Sequence, residues 1–144
     1  MNKRSLELEA WLSKNGCHFD KEMIDEGEYV FYILRTAVYL PALEFELHIS
    51  DTSDHISISC EFIPAFPQKH KKQVAYECER LSFIHYPTTF CIDEKSESIL
   101  AFRESKTTED FIADIIIELE LLKDAIEEVV HLLLYVIWNE RGNF

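Results

Sequence analysis

Two histidines and a glutamate are the strongest candidates for metal chemistry in this sequence. His48 and His55 flank the polar stretch DTSD, residues 51–54. If this stretch closes a hairpin symmetrically, the two imidazoles lie diagonally across from each other on the polar face of a sheet, with Glu46 nearby. Such a set can bind Zn²⁺, but the spacing is not that of a recognised zinc motif. Two solvated histidines are therefore the favoured interpretation, and no metal is expected.

The four cysteines, Cys17, Cys60, Cys78 and Cys91, are widely spaced and form no CxxC pair. The polar, amphipathic start MNKRSLELEAWL does not resemble a signal peptide. Both features favour reduced thiols in the cytoplasm. Cys60 and Cys78 occupy apolar-face positions, where burial raises the pKa of a thiol and lowers its reactivity. We therefore expect buried, inert cysteines rather than a catalytic pair.

Glycine and charge exclude two further classes of function. Only three glycines occur, so there is no phosphate-binding loop and no nucleophile elbow. With 14 basic against 27 acidic residues, the formal charge of -13 repels nucleic acid and anionic membrane surfaces. The one basic cluster, KHKK at residues 69–72, is interpreted as a solvated first turn of a helix. We expect no enzyme and no cofactor, and neither nucleic acid nor a membrane as partner.

The pattern that would position His48 and His55 is a pair of alternating strands. Apolar and polar residues alternate strictly before and after the turn-forming DTSD, which predicts an antiparallel hairpin with one polar face. The apolar positions are Leu43, Phe45, Leu47 and Ile49 in the first strand and Ile56, Ile58, Cys60 and Phe62 in the second.

The remaining elements are shorter or less regular. Leu8, Trp11 and Leu12 share one face of a first helix that ends at Asn15 and Gly16. An acidic connector, DKEMIDEGE, leads to one strand, YVFYILRTAVYL, which ends at Pro41. Pro67 begins a second helix, with Val74, Cys78 and Leu81 on one face. TTFCID and SILAFR form a second hairpin, and Thr107 or Thr108 caps a last helix whose first turn holds Glu109 and Asp110.

The last helix, residues 111–138, carries an apolar stripe at steps of three and four. Its final part, VVHLLLYVIW at residues 129–138, is apolar on nearly every side and is far shorter than the ~20 residues of a membrane span. The helix would be ~42 Å long, whereas a compact domain of this length is only ~37 Å across. Either it spans the molecule or its end overhangs and needs a partner. We expect a homodimer to which Leu132, Leu134, Tyr135 and Trp138 contribute; a wholly intramolecular role is the alternative. His131 is expected in the core or the interface.

The deduced order is helix, three antiparallel strands, helix, two-stranded hairpin and long C-terminal helix, in one α+β domain covering residues 1–144. This order, and above all the passage LSFIHYPTTFCIDEKSESILAFR from the second helix through a short hairpin, resembles the type III secretion chaperone-like fold. That group includes secretion chaperones and YbjN-like proteins. The resemblance implies a non-catalytic protein that binds another polypeptide, or a regulator, and it implies no particular functional residues.

Three functions follow in order of preference. The first is a dimeric chaperone-like or adaptor protein that engages an extended polypeptide client through a sheet edge or a helix surface. The second is a YbjN-like regulatory or structural protein without a client. The third is a metal- or thiol-dependent enzyme.

Overall fold

The computed structural model describes residues 4–37 and 40–138, and the side chain of Pro41 lies outside the description. These described residues form three helices and six strands, with a short 3₁₀ turn, Gln68–His70, before the second helix. In chain order the elements are α1 (Arg4–Lys14), β1 (Phe19–Asp25), β2 (Glu28–Ala37), β3 (Leu40–Ser50), β4 (His55–Ile63), α2 (Lys71–Ile84), β5 (Thr89–Asp93), β6 (Ser98–Lys106) and α3 (Phe111–Trp138).

The six strands form one antiparallel sheet in the order β1-β2-β3-β4-β6-β5. The helices contact this sheet and one another, and the alternating apolar side chains of β3 and β4 are buried beneath them. The opposite face of the sheet carries the polar residues of the alternation. The predicted α+β arrangement, with a wet face on the central hairpin, is confirmed because the period of two sends every second side chain into the core.

Helix α1 ends where the sequence predicts. Gly16 has a φ of +68°, the left-handed conformation that glycine adopts most readily. The Cys17 N–H donates to the Leu12 carbonyl at 2.9 Å and the Gly16 N–H to Ser13 at 3.2 Å. This is the Schellman pattern of a helix terminus.

One strand, β1, was missed by the sequence analysis, which assigned its residues to an acidic connector. The strand FDKEMID lies at the sheet edge, and only Phe19 packs against the core, so no apolar alternation marks it. A two-residue loop joins it to β2, with Asp25 opposite Glu28 and Gly27 at a φ of +74°. The dipeptide Glu26-Gly27 was the available signal, since glycine supports tight hairpin loops.

The prediction that one strand runs to Pro41 is wrong. Strand β2 ends at Ala37, which pairs with Leu40 at the start of β3, so the apolar run is divided between two antiparallel strands. Pro41 belongs to β3, next to a register irregularity between Arg35 and Ala37. Proline lacks a backbone N–H, and bulges are among the places where a strand tolerates it.

The predicted cap of the last helix also needs correction. Helix α3 begins at Phe111, so Glu109 and Asp110 precede it, and Asp110 is the residue that accepts the Ala113 N–H at 3.1 Å. Thr108 instead donates its hydroxyl to the Asp114 carboxylate. A carboxylate accepts the free N–H groups of a first turn at least as well as a threonine hydroxyl does.

A largely buried ion pair joins α3 to the sheet. Arg103 of β6 donates Nε to Glu118 of α3 at 2.8 Å and Nη1 to the Thr88 hydroxyl at 2.8 Å. The side chains of Arg103 and Glu118 are only 11% and 12% exposed. The guanidinium therefore fixes the position of α3 over β6 and the start of β5.

Candidate protein-binding surface

Helix α3 has the predicted bounds, and one side of it is buried along its whole length. The stripe predicted from the sequence is buried at six positions, Ile115, Leu119, Leu122, Ile126, Val129 and Leu133, and partly buried at Ile112 and Val136. Burial continues to Ile137, which is fully enclosed. The helix therefore spans the molecule, and its C-terminal end packs on the rest of the chain.

The opposite side of the same segment stays exposed and apolar. The four residues predicted for an interface are exposed by 45% for Leu132, 36% for Leu134, 61% for Tyr135 and 58% for Trp138. A helix turns by ~100° per residue, so these four side chains do not share one direction. Leu132 and Tyr135 form one pair, and Leu134 and Trp138 form another on the other flank of the outward side.

Neighbouring ion pairs show where each flank faces. Glu128 lies one turn before Leu132, and its Oε2 is 3.5 Å from Nδ1 of His85 at the end of α2. Glu120 lies about five turns before Trp138, on the same side, and pairs with Arg35 of β2. The pair Leu132 and Tyr135 therefore lies towards α2, and the pair Leu134 and Trp138 lies towards β2.

His131 is exposed between these two pairs. The expectation that it belongs to the core is therefore wrong, and the expectation that it lies in an interface stays a prediction. Its place at the centre of the outward side follows from the burial of Val130 and Leu133 on either side of it in the sequence.

A second exposed apolar surface lies on α2 and was missed by the sequence analysis. Tyr76 is 69% exposed and Phe83 is 87% exposed, seven residues apart on one side of the helix. With Glu79, Arg80 and Ile84 they line a shallow, open depression. The signal was the apolar pair at positions 76 and 83, which lie off the Val74, Cys78 and Leu81 face.

The histidine constellation takes the predicted register but does not form a metal site. His48 pairs with Ser57, so His55 lies diagonally across on the same face. Each imidazole instead lies beside a carboxylate of its own. Nε2 of His48 is 3.4 Å from Oε2 of Glu46, and Nε2 of His55 is 3.6 Å from Oε2 of Glu104. In the part of the chain that the structure describes, no three His, Cys, Asp or Glu side chains are grouped so as to hold a metal ion.

The polar face of the sheet is strongly acidic at its centre. Four carboxylates, Glu44, Glu46, Glu61 and Asp93, line a shallow groove together with Ser59. Oε2 of Glu61 accepts a hydrogen bond of 2.9 Å from the hydroxyl of the buried Ser98. This face repels anions and favours contact with basic groups.

The four cysteines are free thiols; Cys60 and Cys78 are buried as predicted, whereas Cys17 and Cys91 are only partly buried, so the prediction of burial is wrong for these two. Burial, with a smaller contribution from Glu61, raises the pKa of the Cys60 thiol to about 12. Burial likewise raises the pKa of the Cys78 thiol to about 12 and, to a lesser degree, that of Cys91. Since the thiolate is the nucleophile, Cys60 and Cys78 are unreactive near neutral pH.

These two thiols predict a loss of stability in alkali. Well below pH 9 both thiols are protonated in the folded and in the unfolded chain. As the pH rises through about 9 they ionise first in the unfolded chain, so the free energy of unfolding falls until the pH approaches 12. Each thiol adds about 1.4 kcal/mol per pH unit to this slope. Urea titrations between pH 9 and 11 should give a shallower slope for Cys60→Ala/Cys78→Ala than for the wild type, and equal slopes below pH 8. Parallel slopes above pH 9 would contradict the prediction.

Comparison with known proteins shows which solved structures share this fold. No protein-family model matches the chain, and no curated protein matches it in sequence. An uncharacterised protein from Methanothermobacter thermautotrophicus is similar in structure with a TM-score of 0.56 at 14% identity, over 94% of this chain and 99% of that one. The crystal structure of the ExsC-ExsE complex contains a chain similar with a TM-score of 0.50 at 13% identity, over 92% of this chain and 97% of that one.

The chain has the type III secretion chaperone-like fold. The structural similarity to a chain of the ExsC-ExsE complex, together with the observed order of helices and strands, confirms the predicted fold. Identities of 14% and 13% establish the fold alone. Among the described residues, none of the helices is long and apolar enough to cross a membrane.

Proposed function

We propose that this protein is a non-catalytic, homodimeric protein-binding module that acts as a chaperone or adaptor for a polypeptide client. The observation that carries the proposal is the apolar outward side of α3, where Leu132, Leu134, Tyr135 and Trp138 stay exposed over a segment whose other side is buried. Large contiguous apolar patches on a folded surface are typical of sites that bind another protein. The fold it shares with a chain of the ExsC-ExsE complex supports this choice.

We assign the two flanks of α3 to different contacts, because one of them borders α2 and the other borders β2. Leu132 and Tyr135, towards α2, contribute to the contact between two copies. Leu134 and Trp138, towards β2, contribute to the contact with the client. The acidic face of the sheet favours a client segment that is basic.

The free sheet edge at β1 supports the binding of an extended client. The Leu34 N–H donates to the His18 carbonyl, so this residue pair is hydrogen-bonded across β1 and β2. Bonding alternates along an antiparallel pair, which turns the backbone groups of Phe19, Lys21 and Met23 to the open edge. A client strand can pair with those groups.

Two matched double variants test the proposal. Light scattering on a sizing column should give a dimer for the wild type, a weakened dimer for Leu132→Glu/Tyr135→Ala and an intact dimer for Leu134→Glu/Trp138→Ala. The last variant should lose a protein that the wild type recovers reproducibly from the native cell extract. All four side chains are exposed, so circular dichroism should be unchanged.

A monomeric wild type that recovers no reproducible protein would overturn the proposal. It would favour instead the second function, a YbjN-like regulatory or structural protein without a client.

A further inference from the structure

The outward side of α3 carries a row of four exposed side chains at intervals of seven residues. They are Ile117, Asp124, His131 and Trp138. Seven residues are close to two turns of an α-helix, so the row follows the helix for about 32 Å and repeats every ~10.5 Å. Its ends are apolar, with Ile117 53% and Trp138 58% exposed, and its middle is polar. A helix side that meets only water is normally polar along its whole length, so this composition indicates a partner that contacts both ends.

We infer that the partner on this row is an amphipathic α-helix of the client, apolar opposite Ile117 and Trp138 and basic opposite Asp124. The inference rests on the proposed function, in which Leu134 and Trp138 contact the client. It adds the conformation and the charge of the client segment that lies there.

The spacing of the row favours a helix over a strand as the conformation of this segment. Side chains on one face of a strand repeat every ~6.6 Å, which does not match the ~10.5 Å repeat of the row. A helix lying along α3 presents side chains at the same interval as the row, because seven residues are close to two turns of that helix as well. Helices that pack lengthwise use this seven-residue repeat. The edge of β1 stays available to a separate, extended segment of the client.

The charges around Asp124 determine the sign of the client residue opposite it. Nζ of Lys123 lies 3.7 Å from a carboxylate oxygen of Glu120, 3.7 Å from one of Asp124 and 3.8 Å from one of Glu127. Arg35 also pairs with Glu120, which still leaves the carboxylates in excess. The Asp124 side chain is 62% exposed. A lysine or arginine of the client can therefore approach Asp124 from solvent and reduce the excess of negative charge.

A second copy of α3 is a poor occupant of the same row. In a parallel pair, Asp124 of one copy meets Asp124 of the other. In an antiparallel pair centred on the row, Glu127 of one copy meets Glu128 of the other, because the midpoint of the row lies between these two residues. Each arrangement brings like charges together in a chain whose formal charge is already -13. A basic client helix is the better match.

Binding of two matched peptides tests the inference. The first is a synthetic amphipathic helix of about 22 residues, the length of the row. Its leucine stripe carries an arginine about two turns from each end, so that one arginine faces Asp124 in either orientation. The second peptide has glutamate in place of both arginines. Fluorescence anisotropy should give the wild-type protein a Kd at least tenfold lower for the arginine peptide. Asp124→Lys should raise that Kd at least tenfold, and Trp138→Ala should weaken the binding of both peptides.

Glu94→Lys is the matched control for Asp124→Lys. It makes the same change of charge at another exposed carboxylate, on the turn between β5 and β6. Because the peptide does not contact this turn and salt screens distant charges, neither Kd should change by more than about twofold. Circular dichroism should be unchanged for both variants, since both side chains are exposed.

Two results would overturn the inference. Equal effects of Asp124→Lys and Glu94→Lys would show that the peptide responds to the overall charge of the protein. A wild type without preference for the arginine peptide would show that the row does not select a basic helix. In either case, a client whose recovery from the cell extract depends on Leu134 and Trp138 would leave the proposed function standing.

Discussion

Replacing Arg103 by methionine should destabilise the protein by about 3–5 kcal/mol. The substitution leaves the Glu118 carboxylate, 12% exposed, without the guanidinium that compensates its charge, and the buried Thr88 hydroxyl without its donor. Removing one partner of a buried ion pair has a cost of this size because the other charge stays desolvated. Urea unfolding followed by circular dichroism measures the change in the free energy of unfolding.

A double-mutant cycle and a surface pair serve as controls. Arg103→Met/Glu118→Leu should cost less than Arg103→Met alone, since no unpaired charge then remains. Lys71 and Glu94 also form an ion pair, but with side chains 44% and 68% exposed, and Glu94→Gln should cost no more than about 1 kcal/mol. Similar costs for Arg103→Met and Glu94→Gln would show that the Arg103 pair is not desolvated.

Leu133→Ala should destabilise the protein by about 2–5 kcal/mol, whereas Leu134→Ala should cost about 1 kcal/mol or less. Leu133 is fully buried, so its truncation leaves a cavity between α3 and the core. Leu134 is 36% exposed, and its truncation removes only part of a burial energy of about 1.5–3 kcal/mol.

Unfolding of both variants at one protein concentration provides the comparison, since dimer formation also contributes to stability. If Leu134→Ala proved as costly as Leu133→Ala, the outward flank of α3 would belong to the core of the chain. The distinction between a structural side and a binding side of residues 129–138 would then fail.

The central hairpin was predictable because its two strands are buried on one face only. Phe45 and Leu47 alternate with glutamate and histidine, so only one orientation of the strand places the apolar side chains in the core and the polar ones in solvent. The bounds of α3 were predictable for the same kind of reason, because its stripe keeps the helical period from Ile112 to Val136.

Strand β1 and the end of β2 were not predictable from the order of polar and apolar residues, and only the dipeptide Glu26-Gly27 indicated a turn before β2. At the sheet edge, Phe19–Asp25 gains its strand conformation from pairing with β2 rather than from burial, so its composition remains that of a polar connector. The apolar run from Tyr29 includes residues of both β2 and β3, and it gives no sign of the boundary because both strands contribute to the same core. Neither pairing leaves a trace in the order of polar and apolar residues.

The sequence by itself determined the α+β class, the central hairpin, the diagonal placement of His48 and His55, and the apolar character of residues 129–138. These depend on periodicity, which each segment carries within itself. Only the tertiary structure decided which flank of α3 lies towards α2 and which towards β2, that α2 exposes Tyr76 and Phe83, and that Arg103 meets Glu118. These depend on which side of each helix the sheet covers, and that choice is made by contacts between residues far apart in the chain.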